Sequence, residues 1–473
     1  MVNTKTLTIL EAHKKILAGE VAPEELVNAY KKAAEKDNLH AFLEVFNDTD
    51  ESLKRSTSVK TNILQYMPIA VKDNLSIKGK HITAASKILE GYVAPYTATA
   101  VEKLLNKGVV LLGRTNMDEF AMGSSTENSA FGPTKNPFDQ TRVPGGSSGG
   151  SAATVAAGLA VAALGSDTGG SIRQPAAFCG IVGLKATYGA ISRYGLLAMG
   201  SSLDQIGPLT RSVSDAQILF EAMKGSDPND ATSNYPTNSD KSFKKIIGVP
   251  KGITAGLEKD VKENFERSLE KMRQLGFTVK DIEMSHLSLS LAAYYIIMPA
   301  EVSSNLARYD GVRFGLNISG ENVIDEYFKT RHNGFGAEAK RRIMLGTYVL
   351  SAGYHDEYYG TALKARAIIT KEFKKAFQKV GVIATPTTPT PAFKIGEKTS
   401  NPVEMYLADI FTVPANIAGI PAISLPAGTV ERQGVNLPLG FQLMADHFRE
   451  DVLFTAGKLF LGENPSDLSS LLN

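Results

Sequence analysis

The sequence predicts an α/β protein, and three observations carry that expectation. Strand-like apolar runs of a few residues recur along the chain with helical patterns between them. Residues 257–275 repeat apolar positions at helical spacing, stop at Gly276 and lead at once into the strand-like Phe277-Thr278-Val279. Residues 152–164 are small and apolar on all faces, a pattern that only a packed interior accommodates. With 43% hydrophobic and 21% charged residues, a chain of 473 residues can bury a sizeable core. Length alone favours two or three domains.

Taken in order, Thr8 and Glu11 stand at capping-box spacing and open a first helix. Pro23-Glu24-Glu25 opens a second amphipathic helix with proline in its first turn, so the first sixty residues read as helical. Residues 67–71 read as a strand ending at Lys72, and residues 108–112 as another. Residues 152–164 read as a fully buried helix closed by Gly165 at C′, too short to cross a bilayer. The polar run 225–242 reads as a surface loop or inner boundary, and 246–249 as a third strand. Thr385-Pro386-Thr387-Thr388-Pro389-Thr390-Pro391 follows an apolar strand and reads as a rigid connection. No internal repeat is present.

Two runs point to chemistry: Gly145-Gly146-Ser147-Ser148-Gly149-Gly150-Ser151 and Gly165-Ser166-Asp167-Thr168-Gly169-Gly170-Ser171. Glycine and serine together usually mark a flexible linker, but the buried stretch between these runs contradicts that. Gly145 to Gly149 also satisfies the G-x-S-x-G elbow of α/β-hydrolases, which needs a strand before it. Residues 136–144 carry two prolines and no alternation and read as an irregular loop, which argues against the elbow. No Gly-Lys-Ser/Thr closes either run and no preceding strand feeds it, so a P-loop is unsupported.

Glycine-rich turns let a backbone approach a reacting carbonyl and aim N–H groups at a developing oxyanion. A serine hydroxyl needs a base, and with no histidine near either run the candidate is Lys72, in Ala70-Val71-Lys72-Asp73-Asn74. Lysine acts as a base only when neutral, so its pKa of ~10.4 must fall by about three units, or ~4 kcal/mol, through desolvation. Asp73 need not oppose that fall, because neighbours on an extended segment point to opposite faces. The residues alone do not order Ser147 and Ser171, and Ser148 and Ser151 are rivals suited to bonding the turn or capping the next helix.

Lys72, Ser147 and Ser171 in these settings resemble the catalytic triad of the amidase signature family. Four further stretches are similar to its glutamine-using, tRNA-dependent amidotransferase branch: residues 113–123, 303–313, 340–347 and 405–412. The resemblance extends from about residue 5 to about residue 460. It implies an amidase-signature fold, a central mixed β-sheet flanked by helices, as a single domain over 1–473 with an N-terminal helical segment of about residues 1–60 packed on it. It also implies Ser171 as nucleophile, Ser147 as proton relay, Lys72 as base, and an oxyanion hole from the N–H groups of Thr168, Gly169 and Gly170. Arg342 would hold a substrate α-carboxylate and Asp409 an α-ammonium, an assignment whose charges suit a free amino acid. Arg341 leaves the register of Arg342 open.

The activity so implied is that of a glutaminase subunit. It hydrolyses glutamine to glutamate and supplies ammonia for converting Glu-tRNA(Gln), Asp-tRNA(Asn) or both to the amidated forms, as a carbon–nitrogen ligase with glutamine as amido-N donor. No nucleotide-binding motif is visible, so no cofactor is expected in this chain; ATP and Mg are expected at a partner, within a heterotrimer containing subunits B and C. The net charge of +2 gives little support for a nucleic-acid face, so misacylated tRNA is expected mainly through the partner. A stand-alone amidase for other small amides is the alternative, and a scaffold with a dead site is opposed by the intact triad.

The seven histidines form no metal-ligand spacing. The single cysteine, Cys179, lies in the apolar run 176–182 and reads as a small buried hydrophobe. No apolar run of some 18 residues and no basic-then-apolar leader is present, so no membrane contact and a cytoplasmic location are expected. Leu425-Pro426-Ala427-Gly428 departs from the family, which often has cysteine before that glycine; the position lies outside the implied triad.

Overall fold

The computed structural model describes residues 2–57, 62–236, 244–399 and 401–464. Its strands are β1 (Phe42–Val45), β2 (Pro68–Lys72), β3 (Val110–Thr115), β4 (Ala162–Asp167), β5 (Val182–Lys185), β6 (Gln205–Thr210), β7 (Ile246–Pro250), β8 (Thr278–Ile282), β9 (Val382–Pro386), β10 (Ala422–Arg432) and β11 (Val435–Met444). All eleven join one sheet in the order β1-β3-β2-β4-β6-β5-β10-β11-β9-β7-β8. Strands β3, β2 and β4 run parallel, as do β9, β7 and β8. The pairings from β4 across to β9 are antiparallel, so the sheet is mixed, as expected.

Several elements form where the sequence places them. The Thr8 hydroxyl accepts the Glu11 N–H at 3.1 Å while the Glu11 carboxylate accepts the Thr8 N–H at 3.0 Å, completing the capping box. Pro23 opens the second helix, Pro23–Ala34. Helix Lys259–Gln274 ends just before Gly276, which takes the left-handed φ of 85° that favours glycine, and β8 follows.

Two readings are corrected. The first sixty residues are not all helical, because Phe42–Val45 pairs antiparallel with β3. Residues 152–164 are not one helix: helix Gly149–Ala157 stops at left-handed Gly158, and the chain returns as β4, buried at every position between β2 and β6. A strand covered on both faces has no polar period, so composition does not distinguish it from a buried helix. Within the polar run, residues 225–236 are irregular and 237–243 lie outside the described residues. The proline-rich run begins inside β9, which ends at Pro386.

Two principal apolar clusters flank the site. One gathers β2, β3, β4 and the first two helices; Ile9 N–H also donates to buried Asp215 at 2.9 Å, tying the N-terminal helices to helix Val213–Met223. The other gathers helices Leu289–Asn305, Ala337–Val349, Thr361–Phe377 and Val413–Ala418.

Candidate active site

Lys72 ends β2 and is wholly buried. Its Nζ lies 2.7 Å from Ser147 Oγ, 2.8 Å from Ser148 Oγ and 2.9 Å from Ser166 Oγ. Burial lowers its pKa to about 7, against the opposing pull of the Asp118, Asp167 and Asp204 carboxylates. A neutral amine has two N–H bonds and one lone pair, so one of the three hydroxyls must donate to it. The Ser148 proton is directed at Ser166 O, 3.1 Å away, which leaves Ser147 and Ser166 to fill that role. Asp73 turns away from Lys72, as expected, and pairs with Arg114 at 2.8 Å.

The first glycine–serine run is held by remote backbone. A Cβ on Gly146 would lie 2.2 Å from Asp118 Oδ2 and 2.6 Å from Ser125 N, so only glycine lets this turn reach the Asp118 segment. The Asp118 N–H donates to Ser147 O at 3.2 Å, and its carboxylate accepts the N–H groups of Thr126 at 2.9 Å and Asn128 at 3.1 Å. The Ser148 N–H donates to Ser171 O at 3.1 Å, joining the two runs.

The second run leaves β4 at Asp167. Its buried carboxylate accepts Arg173 Nε and Nη2, each at 3.0 Å, and Asn416 Nδ2 at 2.9 Å. These bonds outweigh burial and hold the Asp167 pKa down at about 2. Arg173 also donates to Thr412 O at 2.8 Å and Gln442 Oε1 at 2.7 Å. The Thr168 hydroxyl donates to Asp204 at 2.7 Å. The Thr412 hydroxyl donates to Gly169 O at 2.7 Å, and since C=O and N–H point oppositely across a trans peptide, the Gly170 N–H is aimed away from Thr412. Gly170 has φ 147°, and a Cβ there would meet Thr412 Oγ1 at 2.2 Å. Neither the Gly169 nor the Gly170 N–H has a protein acceptor among the described residues.

Ser171 keeps 7% exposure where Lys72 and Ser147 have none, which makes it the member of the three that a solute can touch. Among the described residues no hydrogen bond joins the Ser171 and Ser147 hydroxyls; the runs meet through the Ser148 N–H on Ser171 O and the Ser148 hydroxyl on Ser166 O. The arrangement offers a desolvated amine ringed by hydroxyls, an accessible serine and free backbone donors, the parts that attack on a carbonyl requires.

Arg342 and Asp409 approach from the second cluster. Arg342 is 4% exposed and donates through Nε to Glu338 at 2.7 Å, while Arg341 has 48% of its side chain exposed. One Arg342 Nη lies 3.1 Å from the weak acceptor Met298 Sδ, and the guanidinium sits 5.3 and 5.2 Å from the ring centroids of Tyr295 and Tyr406. Asp409 accepts the Ser124 hydroxyl at 2.5 Å; burial pushes its pKa up to about 7, with nearby Asp167 adding to the rise and Ser124 and Arg342 opposing it. Arg342 and Asp409 do not bond each other. A cavity of about 150 Å³ is lined by Arg342, Tyr406, Ser125 and Gly123 among others, beside the Ser125 and Thr126 backbone that abuts Gly146.

Sequence reasoning missed several participants. Ser148, expected to bond the turn or cap a helix, is a direct neighbour of Lys72 and makes no side-chain cap bond. Ser166 was visible inside the second run but carried no sign of its partner. Arg173, Thr412, Ser124 and the Tyr294 ring, 2.7 Å from where a Gly169 Cβ would lie, have no local pattern, since their partners are remote in the chain. Ser151 packs instead, donating to Leu164 O at 2.9 Å. Cys179 is buried, with its thiol 3.3 Å from Pro144 O and its pKa pushed well up by burial. Among the described residues no group of three His, Cys, Asp or Glu side chains could hold a metal, and no helix is long and apolar enough to cross a membrane.

The chain is similar to known proteins over most of its length. The Amidase family profile matches residues 25–454. The A subunit of glutamyl-tRNA(Gln) amidotransferase from Carboxydothermus hydrogenoformans is 51% identical over 472 residues, covering 96% of each chain. The protein of the same name from Microcystis aeruginosa is 54% identical over 413 residues, 86% of this chain and 84% of that one. The crystal structure of the corresponding Thermotoga maritima protein, again the A subunit of glutamyl-tRNA(Gln) amidotransferase, superposes with a TM-score of 0.80 at 41% identity, covering 98% of this chain and 96% of that one. With a profile match over most of its length and relatives at about half identity end to end, this chain belongs to the Amidase family.

Proposed function

We propose that this chain is the glutamine-hydrolysing component of a tRNA-dependent amidotransferase, the counterpart of the A subunit in its relatives. The observation that carries the reading is the placing of buried Arg342 and Asp409, unpaired with each other, beside the backbone that supports Ser147. Between such groups a free amino acid is held at both ends, α-carboxylate on the guanidinium and α-ammonium on the carboxylate.

In this mechanism Ser171 Oγ attacks the side-chain amide carbon of glutamine. Its proton passes through Ser147 to neutral Lys72, and the oxyanion is held by the N–H groups of Thr168, Gly169 and Gly170. The carbon–nitrogen bond breaks as the nitrogen takes up the proton and leaves as ammonia, with a γ-glutamyl ester on Ser171. Water, activated by the same relay, attacks the ester and releases glutamate. The ammonia is used at a partner, where ATP and Mg activate the carboxylate of glutamyl or aspartyl esterified to tRNA. Subunits B and C are that partner set, tRNA is held mainly there, and the complex works in the cytoplasm. The whole of residues 1–473 acts as one domain.

The test is to purify the chain with whatever accompanies it and measure ammonia release from glutamine, asparagine and small neutral amides. A strong preference for glutamine and two stoichiometric partners are expected. Equal turnover of simple amides by the chain alone would replace this reading with a stand-alone amidase.

A further inference from the structure

We propose that Glu119 is a positioning residue for substrate selection: its carboxylate, fixed next to the segment that supports Ser147, sets the start of helix Ala337–Val349 and hence where Arg342 meets a substrate α-carboxylate. This rests on the reading of Arg342 given above.

A helix begins with backbone N–H groups that lack intrahelical partners, and a carboxylate there is favoured by the helix dipole as well. The N-cap of this helix is Gly336, which has no side chain to serve them. Glu119 serves the first of them from 217 residues away: the Gly336 N–H donates to its Oε1 at 3.0 Å and its Oε2 at 2.9 Å. The Ser86 hydroxyl donates to Oε1 at 2.5 Å, which fixes the carboxylate, and lies 3.2 Å from Gly334 O beside the turn before the helix. Glu119 is 2% exposed, and a Cβ on Gly336 would fall 2.4 Å from its Oε2. A side chain at Gly336 would therefore displace the Glu119 carboxylate.

Arg342 follows Gly336 by six residues, ~9 Å along a rigid helix, so a displacement of the start is delivered to the guanidinium. What Glu119 is anchored to matters equally. The neighbouring Asp118 bonds Ser147 O through its N–H and holds the Ser125–Asn128 backbone through its carboxylate. Ser124, at the edge of that turn, donates to Asp409. One short segment therefore touches the Ser147 loop, Asp409 and the helix of Arg342, and Glu119 is its link to the last.

The test uses the full-length chain with its accompanying partners and two substrates, glutamine and propionamide, which has no α-carboxylate. Glu119→Ala is expected to raise the KM for glutamine ~10-fold while kcat/KM for propionamide falls less than ~3-fold. Glu119→Gln, whose carbonyl still accepts from Gly336, should restore most of the glutamine KM. Gly336→Ala, at φ −73° where alanine is unstrained, should reproduce the Glu119→Ala pattern, and with Glu119→Gln it carries the comparison if Glu119→Ala does not fold. Equal loss on both substrates, or an unchanged glutamine KM, would overturn the proposal. Arg342→Ala is measured in parallel. If it raises the glutamine KM and the Glu119 and Gly336 variants do not, the positioning role alone is wrong; if Arg342→Ala also leaves KM unchanged, the reading of Arg342 fails and takes this inference with it.

Discussion

The site joins two regions that are built differently. Around Lys72 the polar groups are buried and committed: three hydroxyls crowd one amine, and Arg173 spends its donors on Asp167, Asn416, Gln442 and Thr412. Around Arg342 and Asp409 capacity is left over, with one guanidinium edge facing only a thioether and a carboxylate served by one hydroxyl. The first region is pre-organised for a reaction on any amide; the second has room for the charges of one kind of substrate. Variants in the first should therefore lower kcat for every amide, and variants in the second should raise KM for glutamine.

The sharpest break in that division is Ser171→Ala. It should abolish covalent trapping by an acyl-forming glutamine analogue and remove turnover of all amides, because Ser171 is the most exposed hydroxyl of the two glycine–serine runs. Mass spectrometry of the trapped protein checks this, and trapping that persisted in Ser171→Ala yet vanished in Ser147→Ala would exchange the two roles. Lys72→Ala comes next, with a loss of ~10²–10⁴-fold for glutamine and propionamide alike. Near-native turnover in that variant would remove the lysine from the mechanism.

The two regions also differ in how legible they were. In the first region Lys72, Ser147 and Ser171 lie within about a hundred consecutive residues, and the glycines and serines stand together because a turn that approaches a carbonyl needs them locally. Lys72 was readable from the apolar strand before it, and its fall to about 7 matches the drop that base catalysis demands. β4 was not readable, since burial on both faces erases the period that separates strand from helix. At the rim, Arg342 and Asp409 entered through resemblance alone, and Ser124, Glu119 and Tyr295 gave no sign because each acts through residues remote in the chain.

Arg342→Ala sharpens the comparison from the rim. Loss of a charge-assisted contact costs ~1.5–3 kcal/mol, so KM for glutamine should rise ~10–150-fold, while propionamide turnover falls far less. The pH dependence separates the regions too. Lys72 must lose a proton to act and Asp409 must lose one to hold an ammonium, each with a pKa near 7 in the free protein. Both activities therefore rise with pH through about 7. On the acid limb, log kcat/KM for glutamine should approach a slope of 2 and that for propionamide a slope of 1. Asp409→Asn should reduce the glutamine slope to 1; two identical slopes in the unmodified protein would refute the two-ended grip.

The smallest effect is expected at Cys179, which lies close to the first region yet outside its chemistry. Its thiol points at Pro144 O, 3.3 Å away, in the residue just before the first glycine–serine run. It is wholly buried, and burial raises its pKa, so it carries almost no thiolate at neutral pH. A serine there keeps a donor for Pro144 O, and the shorter C–O bond leaves a slight gap, for a stability loss of ~1 kcal/mol. Cys179→Ser should thus keep glutaminase activity within about a factor of two and melt a few degrees lower, by about the shift that ~1 kcal/mol produces in a large domain. In the folded parent, iodoacetamide should label Cys179 slowly without inactivation ahead of unfolding. A Cys179→Ser protein as inactive as Ser171→Ala, or rapid labelling that stops turnover, would bring the thiol into the first region and require its pathway of hydroxyls to be redrawn.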